Sequence, residues 1–280
     1  MKNKKIIIFS IIILSILTIS LTLFTIYLLI KTPKFTFNFN YKNNTEVIYE
    51  QSYDIESINN IKINTISSDI KFKPSTDNNL KVIAYGNEDS EFKIKQDDSN
   101  LNINYDIKNN FCIGICYQED YVVIYIPNTY NNKININTTS GDISGINLEN
   151  ASIDLKTTSG DIQINNIDKL NVTSTSGDIN IKNVNSLNLK VTSGEVNINN
   201  VNNKVNIQAT SGDVEINNLR LTENSKIKTN SGDVEVAKTN DIYIDAFTTS
   251  GEIEIKNNNR KAECELKIET TSGDIDVNDY

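Results

Sequence analysis

A short motif, Ser-Gly followed by Asp or Glu, recurs eight times in the second half of the 280-residue chain. Successive copies are separated by 19, 17, 17, 18, 20, 19 and 22 residues. Self-similarity at a nearly constant period of this size is typical of stacked-repeat proteins, in which neighbouring units share one core. The eight serines are Ser140, Ser159, Ser176, Ser193, Ser211, Ser231, Ser250 and Ser272.

Apolar residues alternate on both sides of each motif. With the Ser as position zero, position +3 is always Ile or Val, and +5 is aliphatic except in the first copy, which has Gly145. Positions −6, −4 and −2 carry aliphatic, small or β-branched side chains. This period-two alternation predicts two short strands per copy, joined by a sharp turn where Gly accepts a positive φ. We predict that positions −6, −4, −2 and zero, then +3 and +5, face the core.

One copy cannot fold alone. Its few aliphatic side chains contribute about 1.5–3 kcal/mol each on burial, whereas ordering the backbone costs about 1–2 kcal/mol per residue. Stacking shares the core, so the predicted fold is all-β, a β-solenoid with coils of 17–22 residues. Regular coils should occupy residues 134–280 and irregular ones residues 58–133, where Ile61–Phe72 forms a degenerate copy. Asn pairs between +5 and the next −6 are predicted to bulge out as loops.

Residues 6–30 contain no charged side chain and are rich in Ile and Leu. This run is long enough to span a bilayer as a helix. Lys2, Lys4 and Lys5 precede it, which favours a cytoplasmic tail of residues 1–5 and an extracytoplasmic remainder. Residues 31–57 would then form a stalk and entry strand. A cleaved signal peptide is the alternative, but the run is long for one and lacks an A-x-A-like site.

The charge and composition exclude several classes of function. Residues 35–280 carry 22 basic and 36 acidic side chains, which disfavours nucleic acid as a partner. The chain has no His, the side chain used most often as a general base and metal ligand. A Ser repeated eight times is a structural period rather than a nucleophile. We therefore predict no catalytic residue and no cofactor.

The acidic residue after each Ser-Gly forms a predicted column, because stacked coils place equivalent residues one strand spacing apart. We expect these carboxylates to accept hydrogen bonds from turn amides. The alternative is calcium bound between coils, since hard cations prefer carboxylate oxygens. The column consists of Asp142, Asp161, Asp178, Glu195, Asp213, Asp233, Glu252 and Asp274.

The chain has three cysteines. Cys112 and Cys116 flank Gly114, so a tight turn could join them in a disulfide on the oxidising side of a membrane. Free thiols are the alternative. Cys264 shares the inward phase of Leu266 and Ile268, which predicts a buried, apolar role.

The run Val122–Pro127, then Lys133–Ile143 and the repeated T-x-S-G-D-[IV] motif, resembles the adhesin-type β-strand-repeat family known as domain of unknown function 4097. The resemblance covers roughly residues 57–280. It implies a β-solenoid on bacterial envelope proteins, often beside a transmembrane segment, and carries over no catalytic residue.

Three functions follow from these observations. The leading one is a membrane-anchored binding or structural module of the cell envelope, with an envelope protein or polymer as its partner. The second is a scaffold that self-associates through the C-terminal coil, where Asp274, Asp276 and Asp279 are expected to repel a second copy. The third is a carbohydrate-active β-helix enzyme. Surface aromatics lining one face would favour sugar binding. Outward positions are mostly Asn, Lys, Asp, Glu and Thr, which favours the first two.

Overall fold

The computed structural model describes residues 18–24, 26–27, 45–87, 89–107 and 120–278. The chain divides into two units, Met1–Asn43 with Asn109–Tyr117, and Asn44–Lys108 with Gln118–Tyr280. In the first unit, residues 18–24 and 26–27 are helical. Most of the predicted membrane segment and all of the tail, residues 1–5, lie outside the described residues. Within those residues, no helix is both long and apolar enough to cross a bilayer.

The second unit is an all-β, open, solenoid-like sheet with nineteen described strands. The strands before the first regular turn, with one 3-10 turn, are β1 (Glu46–Asp54), the 3-10 turn (Ile55–Ser57), β2 (Asn60–Thr65), β3 (Asp69–Pro74), β4 (Asn79–Gly86), β5 (Ser90–Asp97), β6 (Asn100–Ile107), β7 (Tyr121–Ile126) and β8 (Lys133–Asn137). The later strands are β9 (Ile143–Thr157), β10 (Ile162–Ser174), β11 (Ile179–Val191), β12 (Val196–Ala209), β13 (Val214–Leu219), β14 (Ser225–Lys228), β15 (Val234–Val236), β16 (Tyr243–Ser250), β17 (Ile253–Ile255), β18 (Glu265–Ser272) and β19 (Ile275–Val277).

The strands stack in two arrays. In the leading array, which precedes the Ser-Gly turns, the spatial order is β5, β6, β2, β8, the ends of β9 to β12, then β14, β18 and β16. In the trailing array, which follows the turns, it is β1, β4, β7, β3, the starts of β9 to β12, then β13, β15, β19 and β17. Equivalent repeat positions pair in parallel, as Ile162 with Ile179. The degenerate copy pairs in the predicted register, Ile61 with Ile134.

The predicted inward positions +3 and +5 are buried in the central coils, where Ile181 and Ile198 are 2% and 0% exposed. Position zero was predicted inward, and this is wrong: seven of the eight serines are exposed and Ser176 is half-buried. The chain leaves the core after position −2, and in three copies the hydroxyl at −2 donates to the carbonyl of position zero. Thr157 Oγ1, for example, donates to the Ser159 carbonyl at 2.8 Å.

The turn glycines are packed against one another. A Cβ on Gly177, which has φ 107°, would lie 2.3 Å from the Gly160 carbonyl oxygen. Glycine is therefore required by the close approach of stacked backbones as well as by positive φ. In the degenerate copy Ser68 occupies this place without a positive φ, and Gly141 lies directly against its carbonyl.

The Asn-rich segments predicted as loops are strand in β9 to β12, and this prediction is wrong. Their side chains form amide ladders from coil to coil: Asn183 Nδ2 donates to Asn166 Oδ1 at 2.5 Å, and Asn200 Nδ2 to Asn183 Oδ1 at 2.7 Å. Identical amides one strand spacing apart satisfy each other, which removes the pressure to form a turn. Position +8 adds a buried residue that the repeat analysis missed, such as Val184.

The order of coils in space differs from their order in sequence at both ends. The coil of β6 and β7 lies outside that of β2 and β3. The C-terminal coil, β18 and β19, is inserted between β14 and β16 and between β15 and β17. The prediction that this coil forms an open end guarded by Asp274 and Asp276 is therefore wrong, and Asp279 lies outside the described residues. In this inserted position Leu266 and Ile268 are 0% exposed. Burying these two side chains removes more apolar surface from water than burying the equivalent positions of the β16 coil, one of which is Ala246.

Candidate functional site

The acidic column exists, and its members hydrogen-bond between coils. Asp142 Oδ1 accepts from the Asp161 amide at 2.8 Å, and Asp161 Oδ1 accepts from the Asp178 amide at 2.9 Å. In space the order of the last two members is reversed, because the Glu252 amide donates to Asp274 Oδ1 at 2.8 Å. All eight members are exposed: Asp142, Asp161, Asp178, Glu195, Asp213, Asp233, Asp274 and Glu252.

These bonds explain why like charges tolerate the stacking, since each amide donor offsets part of a carboxylate's charge. The donor comes from the next coil rather than from the residue's own turn. Among the described residues, no group of three or more Asp, Glu or Cys side chains is arranged to hold a metal ion. The calcium hypothesis therefore stays a prediction.

Cys112 and Cys116 lie outside the described residues. Cys264 is a free thiol beside the core, but it is half-buried rather than buried as predicted. Cys264 lies directly before β18.

Aromatic side chains collect on the outward face of the trailing array, where β3, β7, β4 and β1 lie side by side. We call this surface the tyrosine patch and define it by six residues. They are Tyr85, Tyr121, Tyr125, Lys71, Lys73 and Lys81.

The strand register explains how the patch forms. In β7 the core-facing residues are Val122, Ile124 and Ile126. Because side chains alternate along a strand, Tyr121 and Tyr125 face outward. Tyr85 of β4 is paired with Tyr121, and their rings stack with centroids 4.5 Å apart. Ile83 lies between Lys81 and Tyr85 in the outward phase of β4, and it is paired with Val123 of β7. Both side chains are packed among the patch residues and are only 7% and 4% exposed. The patch is therefore a packed surface rather than a set of separate side chains.

Lysines border the rings. The Lys71 ammonium lies 4.4 Å from the Tyr121 ring centroid, and the Lys73 ammonium lies 5.8 Å from that of Tyr125. Lys81 forms an ion pair with Glu50 at 2.5 Å, and this hydrogen bond raises the pKa of Lys81. Lys71 lies 3.7 Å from Asp69. Within the described residues Lys73 has no ion pair, so it is the patch cation that is available to an anion.

Sequence reasoning missed the patch because it treated the outward positions as uniformly polar. The signal was present in the run Tyr121–Ile126, where an outward phase containing Tyr, Val and Tyr departs from the Asn-rich repeats. Half-buried tyrosines combine an apolar ring with a hydrogen-bonding hydroxyl, and lysines attract anionic groups. Such a surface is suited to binding a ring-containing, partly anionic polymer.

A second candidate surface is a cleft that lies over ladder side chains. A cleft of about 410 Å³ is lined by residues of the leading array, among them Lys62, Asn135, Asp154 and Asn171. Asn171 Nδ2 donates to Asp154 Oδ1 at 2.6 Å, and Lys133 forms an ion pair with Asp154. Several of these polar groups are thus committed to contacts between coils, which makes the cleft a weaker candidate than the tyrosine patch.

The stacked all-β coils define a solenoid-like repeat domain whose outward surface carries the tyrosine patch. The sequence profile of one family, Toastrack DUF4097, matches residues 58–278. The chain belongs to this family. No curated protein matches the chain.

Three solved structures of bacterial proteins are similar to this chain. An adhesin from Bacteroides fragilis, provisionally so named, is 19% identical, with a TM-score of 0.55 over 82% of this chain and 96% of that one. A provisionally named adhesin from Parabacteroides distasonis is 14% identical, with a TM-score of 0.48 over 84% and 98%. A provisionally named lipid-binding protein from Parabacteroides distasonis is 15% identical, with a TM-score of 0.47 over 81% and 96%.

Proposed function

We propose that the protein is a membrane-anchored, non-catalytic binding module of the bacterial cell envelope, and that its tyrosine patch binds a glycan chain. The observation that carries the proposal is the contrast on the outward surface. Along the regular coils that surface is occupied by amide ladders, whereas the patch offers aromatic rings and the available cation of Lys73. The net negative charge of residues 35–280 opposes an anionic ligand at long range, so the proposal of an anionic polymer rests on this local cation and the rings beside it.

The architecture supports binding rather than catalysis. The chain has no His, and the eight serines occupy equivalent turns, so no single nucleophile is set apart with a base. The patch is formed by residues of three neighbouring strands, β3, β4 and β7, which suits a long ligand better than a small substrate enclosed in a pocket.

The binding experiment uses the full chain in detergent with polygalacturonate as an anionic glycan and dextran as a neutral one. We expect polygalacturonate to bind and the double variant Tyr125→Ala, Lys73→Ala to weaken binding at least tenfold, roughly 1.4 kcal/mol. Asn180→Ala, an exposed ladder-side change on β11, is the matched control and should bind as wild type. Absence of binding by the wild-type chain, or an equal loss in the control, would contradict the proposal.

The anchor is proposed from residues 6–30 and the lysines before them. Cell fractionation should place the full-length chain in the membrane, and external protease should digest residues 35–280 on wall-less cells. Recovery of a soluble chain that begins after residue 30 would show cleavage and would exclude the anchor.

A further inference from the structure

The coil of β16 and β17 is the last in space. β16 pairs with β18 and β17 pairs with β19, and neither has a second neighbour among the described strands. Both arrays therefore end at this coil with unpaired strand edges, which are templates for pairing with another chain.

The exposed edge is a continuation of the interface between internal coils. In each of the other seven regular coils the amide at +3 donates to the +2 carbonyl of the neighbouring coil, as Ile275 does to Glu252 at 2.9 Å. Ile253 holds the +3 position of the last coil and has no such neighbour. Its side chain is 43% exposed, whereas the +3 residue of the other seven coils is at most 1% exposed.

Part of this edge is covered by the chain itself. Asn258 uses its side-chain amide to bond both the amide and the carbonyl of Ile244, at 3.0 and 2.9 Å. The Asn259 amide donates to the Ile242 carbonyl at 3.1 Å. Among the described residues the cover stops there, so within that part of the chain the edge from Ala246 onward and the whole of β17 are open, beside an exposed Phe247.

The opposite end of the stack is built differently. It closes with antiparallel strands, β5 on β6 and β1 on β4. The edge strand β5 carries exposed Lys93 and Lys95, and β1 has a register shift between Val47 and Tyr49. Charged side chains and bulges at an edge disfavour pairing with another chain. The β5 and β1 edges are therefore unsuited to pairing with the β16–β17 end of another molecule in a head-to-tail stack. The complementary partner for the β16–β17 end is the same end of a second copy.

We infer that two copies of this chain dock through their β16–β17 ends around a two-fold axis. A two-fold axis perpendicular to the stack reverses strand direction, so β16 meets β16 and β17 meets β17 as antiparallel pairs at the same time. Outward side chains along β17 and its flanks run Glu252, Glu254, Lys256. Antiparallel pairing brings the acidic end of one strand toward the Lys256 end of the other. The assembly closes as a dimer and does not grow into a filament.

The test is sedimentation equilibrium of the full chain in detergent, in a solvent whose density matches that of the detergent. The wild type should have twice the 31.5-kDa chain mass at micromolar concentration. Ile253→Lys, which places a charge on the open edge, should raise the dissociation constant at least tenfold. Ala246→Pro, which removes an edge amide donor, should act in the same direction without adding charge.

Ile66→Lys is the matched control, because Ile66 is an equally large side chain, 49% exposed, on a turn far from β16 in sequence. It should leave the dimer unchanged. A wild type of single-chain mass up to 100 micromolar, or dissociation by Ile66→Lys to the same extent, would overturn the inference. Growth of the wild type beyond two chains would overturn the two-fold closure.

Discussion

The regular coils and the strands that close the N-terminal end share one core but use their outward surfaces differently. In β10 to β12 the outward side chains bond to their equivalents in the next coil, as in the Asn166, Asn183 and Asn200 ladder. In β3, β4 and β7 the outward tyrosines contact one another and nearby lysines instead. The comparison teaches that repetition supplies stability along the stack, whereas departures from the repeat place aromatic rings and lysines on the outward surface.

The core beneath both surfaces should be the most sensitive to change. Ile181→Asp places a carboxylate at a site that is 2% exposed, which costs several kcal/mol and should unfold a domain of ordinary stability. Asn180→Asp, at the adjacent exposed position, should cost less than about 1 kcal/mol. Urea denaturation followed by circular dichroism measures both. Similar losses for the two variants would show that the assigned strand phase is wrong.

The ladder and the patch should separate stability from binding. Asn183→Ala removes the donor to Asn166 and the acceptor for Asn200, so we expect a loss of about 1–3 kcal/mol with unchanged affinity for polygalacturonate. Tyr125→Ala should weaken binding with a smaller loss of stability, since Tyr125 is half-buried. Denaturation and binding isotherms on the same preparations test this. If Asn183→Ala reduced affinity as much as Tyr125→Ala, the division between the two surfaces would fail.

Near the β16–β17 end of the stack, Glu269 forms ion pairs with Lys226 and Lys267 where the central coils have an amide ladder. Changing Glu269 should have the smallest effect on stability among these predictions. Hydrogen bonds from Lys226 and then Lys267 hold the pKa of Glu269 at about 2, below its ordinary 4.5. A lowered folded-state pKa contributes stability above pH 4.5 that is lost as the pH falls toward 2. Wild type should therefore lose more stability across this window than Glu269→Gln does. Glu215→Gln, an exposed change on β13, should follow the wild-type curve; equal slopes for all three would contradict the assignment.

The repeat predicted much of this fold because each coil solves the same packing problem. Alternation identified the strands, the turn and the buried positions +3 and +5. The prediction that position zero faces the core was wrong because the chain leaves the core after position −2. The prediction that the Asn-rich segments form loops was wrong because turn propensity is a local property, whereas the amide ladders form only when coils stack.

The spatial order of the coils and the position of the tyrosine patch could not be predicted from the sequence, for a different reason. A periodic pattern states that coils stack but not which coil follows which. The 22-residue spacing before Ser272 leaves room for the chain to step back, and burial of Leu266 and Ile268 favours the step. The tyrosine patch depends on pairing β4 against β7, which the run Tyr121–Ile126 alone does not specify.

Hydroxyl-radical footprinting of the full chain, with and without polygalacturonate, tests the central claim most directly. The account predicts that the polymer slows oxidation of Tyr85, Tyr121 and Tyr125 at least threefold. Tyr243, a half-buried tyrosine on β16, should oxidise at the same rate in both samples. Unchanged oxidation of the three patch tyrosines in the presence of bound polymer, or equal protection of Tyr243, would contradict the claim that the patch is the binding surface.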